Sequence, residues 1–450
     1  MSLVAGKARA QPTQGGALSL EQAVADALAN HPALRAFRAD EAVAGARVDE
    51  ARTRQLPDVG VSAQLNRSTG NTVPGAFFPL QGFPPIAGAP QGRTFDEGVW
   101  QTGGSLYATW DVLSLARQAA AIDVALAGQS ETAAMTSAQR LEVAYRAADA
   151  FLLVLEAQET QRSARANLNR AEILATVTRT LVAQSLRPGA DAARAEAELA
   201  AAQTQLARAE QGLDVRSAQL AEAMGDPNRR VEAAPGALLE PLITPAVGRP
   251  TAAPTHPQIV QSEAAVARAS EAERAVELEY LPRLDLAAAI WMRGSGLYGS
   301  PASGLVPDVP NWAAGLTATW SFLNIPTIRA RARAASASKA SAVAHRDQTS
   351  LAIAGQLASA TAILQGAQRI SNQTPTTLAS ARTAEQQAVA RYHTGLSSIV
   401  DVAETQRLLA QAEIDDAVAR IEVRRALLLL ARASGDLSAF FVQARGGRAN

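Results

Sequence analysis

Side chains suited to chemistry are few in this sequence and poorly spaced for it. The four histidines, His31, His256, His345 and His393, show no metal-ligand spacing, and His31 and His256 each precede a proline at a helix start, a structural position. The absence of cysteine excludes disulfides, thiolate metal sites, cysteine nucleophiles and a lipid-bearing N-terminal cysteine. No glycine-rich phosphate loop, nucleophile motif or isolated carboxylate pair stands out, so no cofactor, no metal and no enzymatic activity are expected. One acidic pattern has a local meaning: in Ser398-Ile399-Val400-Asp401 a hydroxyl precedes an acid in the first helical turn, where it complements the helix dipole. Spacing alone makes that a helix cap.

The tryptophans carry more information. From Asp58 to Ser68, Val59, Val61, Ala63 and Leu65 alternate with polar residues, a period-2 strand, and a return strand places Trp100, Leu106, Ala108, Trp110 and Val112 in one phase. Trp100 and Trp110 are ten residues apart, which on a strand tilted by roughly 40° projects to about 25 Å, the height of an outer-membrane apolar band between its aromatic girdles. Later strands repeat the pattern with Leu284, Leu286, Ala288, Ile290 and Met292, then Trp312, Ala314, Leu316, Ala318, Trp320 and Phe322. The opposite phase is expected to be polar, as a water-filled lumen requires, although Trp291 breaks the alternation. Four strands do not close a barrel. Either they form a small soluble sheet covered by helices, with the tryptophans as core, or several chains pool them.

The repetition extends along the whole chain. His31-Pro32 recurs as His256-Pro257 and Leu56-Pro57 as Leu281-Pro282 at an offset of 225 residues; Thr109-Trp110 recurs as Thr319-Trp320, Asp191 as Asp401 and Gly225-Asp226 as Gly435-Asp436 at an offset of 210. Each copy reads as helix, hairpin, very long helix, turn and medium helix. The expected organisation is an N-terminal remnant over 1–17, in which Ala8-Arg9-Ala10 has the look of an export-signal cleavage site, and a first repeat over 18–225 with strands at about 58–69 and 98–112 and a long helix at about 114–181. A Pro- and Gly-rich connector over 226–255 leads to a second repeat over 256–436, with strands at about 283–294 and 311–322 and a long helix at about 325–391, and to a C-terminal tail over 437–450, expected to be mobile beyond Phe441. Pro375 is expected to kink the second long helix.

Leu199, Leu206, Leu213 and Leu220 repeat every seven residues, as do Val402, Leu409, Val423 and Leu430 with Asp416 at the intervening position, which is coiled-coil spacing. Helices of roughly 68 residues, about 100 Å, do not fit a compact globule. Balanced charge, 42 Lys+Arg against 42 Asp+Glu, gives no pull toward nucleic acid. No apolar run reaches the length of a transmembrane helix, which leaves a β-barrel open.

From about Leu18 to Phe441 the sequence resembles the TolC-like outer-membrane efflux protein family, most specifically in Arg391-Tyr392-His393-Thr394-Gly395-Leu396-Ser397-Ser398-Ile399-Val400-Asp401-Val402-Ala403-Glu404-Thr405-Gln406. The resemblance implies a mixed α and membrane-β fold: a homotrimer whose twelve strands form one barrel in the bacterial outer membrane, in contact with its lipid, continued by a twelve-strut α-helical barrel across the periplasm. It implies a passive exit duct for an inner-membrane pump or an ABC transporter of type I secretion, joined by a periplasmic adaptor (membrane fusion) protein. It further implies that Asp401 and Glu404 face the axis at the periplasmic aperture, a ring of six carboxylates in a trimer, and that Tyr392 and Asp191 link helix pairs across the closed tip. Trp100, Trp110, Trp312 and Trp320 then form the aromatic girdle. Ser397 stands where some members carry arginine. The competing reading is a soluble periplasmic coiled-coil adaptor or scaffold.

Overall fold

The structure, a computed structural model, describes residues 17–69, 98–186, 188–229, 231–240, 255–296 and 300–445. The segment 1–16, with its Ala8-Arg9-Ala10, most of the hairpin loop after Thr69 and the middle of the connector lie outside the described residues.

The first copy comprises α1 (Leu20–Asn30), α2 (Pro32–Thr53), β1 (Asp58–Thr69), β2 (Gly98–Asp111), α3 (Leu115–Ala183) and α4 (Gly189–Ala223). The second comprises α5 (Pro257–Glu277), β3 (Arg283–Ser295), β4 (Val309–Thr319), α6 (Ile325–His393) and α7 (Ile399–Ser434), followed by α8 (Ser438–Ala444). Both long helices have 69 residues, and α6 is continuous through Pro375. Two elements went unread in the sequence. Helix α1 is announced by a capping box, Ser19 with Gln22, inside what reads as the approach to the first helix. Helix α8 lies within the C-terminal tail and runs into the part expected to be mobile, yet it buries Phe440 and Ala444 behind a buried Leu437, and Arg445 pairs with Glu21 at 3.2 Å.

The copies do not fold as separate domains. One compact unit combines Met1–Glu41, Thr132–Glu263 and His345–Asn450; the other combines Ala42–Glu131 and Ala264–Ala344, so each draws on both copies.

The second unit contains an antiparallel sheet in the order β1-β2-β3-β4. Its register aligns Val61, Leu106, Ile290 and Trp312 in one cross-strand row, and Trp110, Leu286 and Leu316 in another. Outer strands β1 and β4 leave the sheet open at both edges among the described residues.

The first unit holds the main core, where Phe151, Leu152 and Leu155 of α3 meet Leu220 of α4, Ile353 and Leu364 of α6, and Ile421 and Leu428 of α7. Along α7 the seven-residue register is buried throughout, Val402, Leu409, Asp416, Val423 and Leu430. In α4 only Leu220 of the leucine register is fully buried; Ala195 and Ala202 are buried too, with Leu199, Leu206 and Leu213 half-buried beside them, because small residues let neighbouring backbones approach more closely than leucine does.

The dipeptides that mark the repeats meet in space. Gly225, with φ 78°, ends α4 against His31, and Gly435, with φ 90°, ends α7 against His256. A Cβ on Gly435 would fall 2.8 Å from the His256 ring, and one on Gly225 would fall 3.0 Å from the His31 backbone. Each histidine in turn opens the next helix by accepting a backbone N–H on Nδ1, from Ala33 and from Gln258, both at 3.2 Å. The end of each medium helix is thereby set on the start of its copy's hairpin-bearing helix.

Candidate functional site

Two surfaces correspond to the residues singled out in the sequence. The first is the sheet. Alternation puts Val59, Val61, Leu65, Leu106, Leu286, Ile290, Met292, Trp312 and Leu316 on one face, and every one of them is exposed, Val61 by 80% and Trp312 by 78%. An apolar face of this extent is far beyond the scattered exposed leucines of an ordinary surface. At the end of the sheet farther along β2 toward Gly98, the turn Pro301–Leu305 folds against this face, with Thr102 Oγ1 donating to the Gly304 carbonyl at 2.8 Å.

The tryptophans differ in setting. Trp100 is half-buried, with the Arg67 guanidinium 5.7 Å from its ring centre. Trp110 is also half-buried and donates its indole N–H to the Gln55 carbonyl at 3.1 Å. Trp312 is level with Leu106, six residues along β2 from Trp100, and Trp320 follows the last residue of β4 as an exposed side chain.

The other face is polar in part. Ser62 and Ser105 share a hydrogen bond of 2.6 Å between hydroxyls, and Trp291 lies in their row next to Asn311, which accounts for its break in the alternation. In the second hairpin, however, the expected polar phase is mostly small and apolar: Ala287, Ala289, Ala313 and Gly315 line a shallow hollow of about 330 Å³ beside Tyr107 and Thr109.

The second surface is the turn joining α6 to α7, in the first unit. Gly395 takes φ 77°, and Ser398 caps α7: its Oγ accepts the Asp401 N–H at 3.3 Å while Asp401 Oδ2 accepts the Ser398 N–H at 3.0 Å. Asp401 is thus a capping-box residue whose other carboxylate oxygen is not used by the cap. Glu404 is exposed and pairs with Arg407. Tyr392 is 1% exposed, packed with Ala388, Ile399 and Val402 and with Leu174 of α3. Asp191, half-buried, sits in the first turn of α4 behind Pro188, which provides no side-chain cap.

Farther along the helices, Arg170 grips Glu413 with two bonds, 3.3 and 2.9 Å, and Arg425 bonds Asp149 at 2.9 Å, tying α3 to α7. Burial, with the nearby Glu422 charge, raises the Glu156 carboxyl above the usual range. Burial also lowers the His256 imidazole. Among the described residues no group of three or more metal-ligating side chains is found, and no helix is long and apolar enough to cross a membrane.

The outer membrane efflux protein family matches this sequence twice, over residues 23–226 and 250–436, once in each copy. No curated protein sequence matches it. In solved structures the fold is shared with the outer-membrane channel OprN (20% identity, TM-score 0.72, covering 92% of this chain and 89% of that one). It is also shared with VceC of Vibrio cholerae (19%, 0.74, 93% and 96%) and the CmeC outer membrane channel of Campylobacter jejuni (14%, 0.76, 96% and 94%). A soluble adaptor is not favoured by these matches. Matched in both copies and over most of its length, the chain belongs to the outer membrane efflux protein family, as an outer-membrane exit duct that extends into the periplasm.

Proposed function

We propose that three copies of this chain pool their sheets into one twelve-stranded barrel in the outer membrane, continued by a twelve-strut helical barrel, and that the assembly passively conducts cargo delivered by an inner-membrane pump or ABC transporter through a periplasmic adaptor. The observation that carries this reading is the exposed apolar face of an open-edged sheet. A lone sheet would leave both edges unpaired and some nine large apolar side chains in water. Closure removes the edges, and lipid solvates the face. The small inner residues of the second hairpin then widen the lumen; Trp110 and Trp320 lie toward the headgroups at one end of the sheet and Trp100 at the other, while Trp312, in the row of Leu106, lies between them.

At the helical end, threefold symmetry turns Asp401 and Glu404 into six carboxylates around one axis. Such a ring attracts cations and is blocked by multivalent ones. The cap leaves one Asp401 oxygen available for that role, while Arg407 offsets part of the Glu404 charge. Tyr392, packed between its own helix pair and Leu174 of α3, and Asp191 hold the closed end together. No residue here performs covalent chemistry.

Membrane extraction followed by sizing tests the proposal. The expected result is a trimer released only by detergent; a monomer soluble without detergent would overturn it.

A further inference from the structure

Where each hairpin hands over to its long helix, the two copies are built differently. In the first copy the corner is closed: Trp110 is half-buried against the Gln55 carbonyl, and Arg117, in the first turn of α3, donates to Asp111 at 3.2 Å and to the Leu281 carbonyl at 3.1 Å. In the second copy it is open. Trp320, Phe322 and Leu323 are exposed by 63%, 62% and 81%, and no acidic residue stands in the first turn of α6 to offset the positive end of its dipole.

Two unpaired cations follow on α6. Arg331 donates to Glu279 and Lys339 to Glu273, both at 2.9 Å, which turns that side of the helix toward α5 and the short turn after it. At about 100° per residue, Arg329 and Arg333 each stand about 160° around the helix from Arg331. Both are exposed, and neither has a carboxylate partner among the described residues. By contrast, Arg52, Arg54, Arg117 and Arg283, which flank the same end of the sheet, are all paired. One turn apart, Arg329 and Arg333 can hold a single phosphate between them. Arg329 follows Leu323 by about 9 Å of helix, within reach of a side chain that lays its stem on apolar surface and extends its guanidinium to the headgroups. At the offset of 210 the two positions are Ala119 and Asp123, so the first copy has no such pair.

We propose that Arg329 and Arg333, with Trp320, Phe322 and Leu323, bind the headgroup phosphate of an anionic phospholipid in the periplasmic leaflet of the outer membrane. Continuity selects this occupant. Trp320 and Phe322 carry on the phase of the exposed sheet face at its headgroup end, and the two cations lie just beyond, where a lipid of net negative charge presents its phosphate. The site rests on the conduit reading, which puts that face in lipid.

The full chain is reconstituted in phosphatidylcholine vesicles that carry either brominated phosphatidylglycerol or brominated phosphatidylcholine. Tryptophan quenching, to which Trp320 contributes at the site, is titrated against the brominated fraction. The expected result is half-maximal quenching at a much lower fraction of phosphatidylglycerol. Arg329→Gln and Arg333→Gln should each cut that preference about fivefold and the double variant about thirtyfold, while Arg369→Gln, at an exposed position farther along α6, leaves it unchanged. No preference in the parent protein, or an undiminished one in the double variant, would overturn the site and leave the conduit reading standing. Abolition of the preference by millimolar inorganic phosphate would assign the pair to free phosphate, and loss of trimer in the double variant would assign it to carboxylates of a neighbouring copy; either would overturn the lipid site. A parent protein that floats with neither kind of vesicle would overturn the conduit reading and the site with it.

Discussion

At the turn between α3 and α4, Ser185 holds φ 58°, whereas Gly395, its equivalent between α6 and α7, holds φ 77°. Beyond the turn, Pro188 starts α4 with no side-chain cap, while Ser398 starts α7 with a complete box to Asp401. The two copies keep one backbone path with different chemistry. A left-handed serine costs about 1 kcal/mol or more, which glycine avoids, and a missing cap costs about as much again. Duplication therefore preserves geometry through packing and length, and leaves each turn's local stability free to diverge. The second turn is the better built of the two, and it also carries the acidic pair.

The comparison can be tested from both directions. Where the copies agree, substitutions should act in the same direction: on one sheet face, Leu106→Arg near the midplane should impair membrane assembly by roughly 2–4 kcal/mol and Leu316→Arg, in the row of Trp110 and nearer the headgroups, by less, both read as loss of detergent-extractable trimer. Normal assembly of both would remove the lipid-facing assignment. Gly225→Ala and Gly435→Ala meet a positive φ and a nearby histidine, and each should lower the thermal midpoint by the equivalent of about 1–3 kcal/mol.

Where the copies differ, effects should differ. Ser398→Ala should cost about 1 kcal/mol, whereas Pro188→Ser should stabilise by up to about the same amount; equal responses would show that the cap is immaterial. Asp401→Asn should weaken multivalent-cation block in planar bilayers more than Asp191→Asn does, with trimer yield unchanged in both.

A smaller effect concerns pH. Burial holds the folded-state pKa of His256 below its unfolded value, so the neutral imidazole favours the fold. That contribution is present above about pH 6.5 and is lost as pH falls below it. His256→Asn should flatten the decline of the thermal midpoint between about pH 7 and about pH 5.

Much of this fold was legible because its signals are periodic. Alternation identified the apolar face of the sheet but not the small, apolar lining of the second hairpin's other face, sevenfold spacing identified the α7 seam, and the repeated His-Pro and Gly-Asp dipeptides located four helix ends whose contacts only the folded chain displays. The division into two units that each draw on both copies was not legible, since it depends on which segments contact one another rather than on chain order. Helix α8 was missed because seven residues are too few for a period to emerge, and the burial of Ala195 and Ala202 in α4 because leucine spacing is the louder pattern. Of the candidate site, the cap at Asp401 was visible in the spacing. The bond between Thr374 and Asp416 showed only as an irregularity, a proline in one helix and an acid in another, 41 positions apart in sequence.

The equal lengths of α3 and α6 restrict how this protein can change. Removing one heptad from α6 alone would shorten it by about 10 Å while α3 kept its 69 residues, so the two helices of the proposed barrel would no longer match. In that assembly, insertions and deletions are expected to be tolerated best when both helices change by the same number of residues.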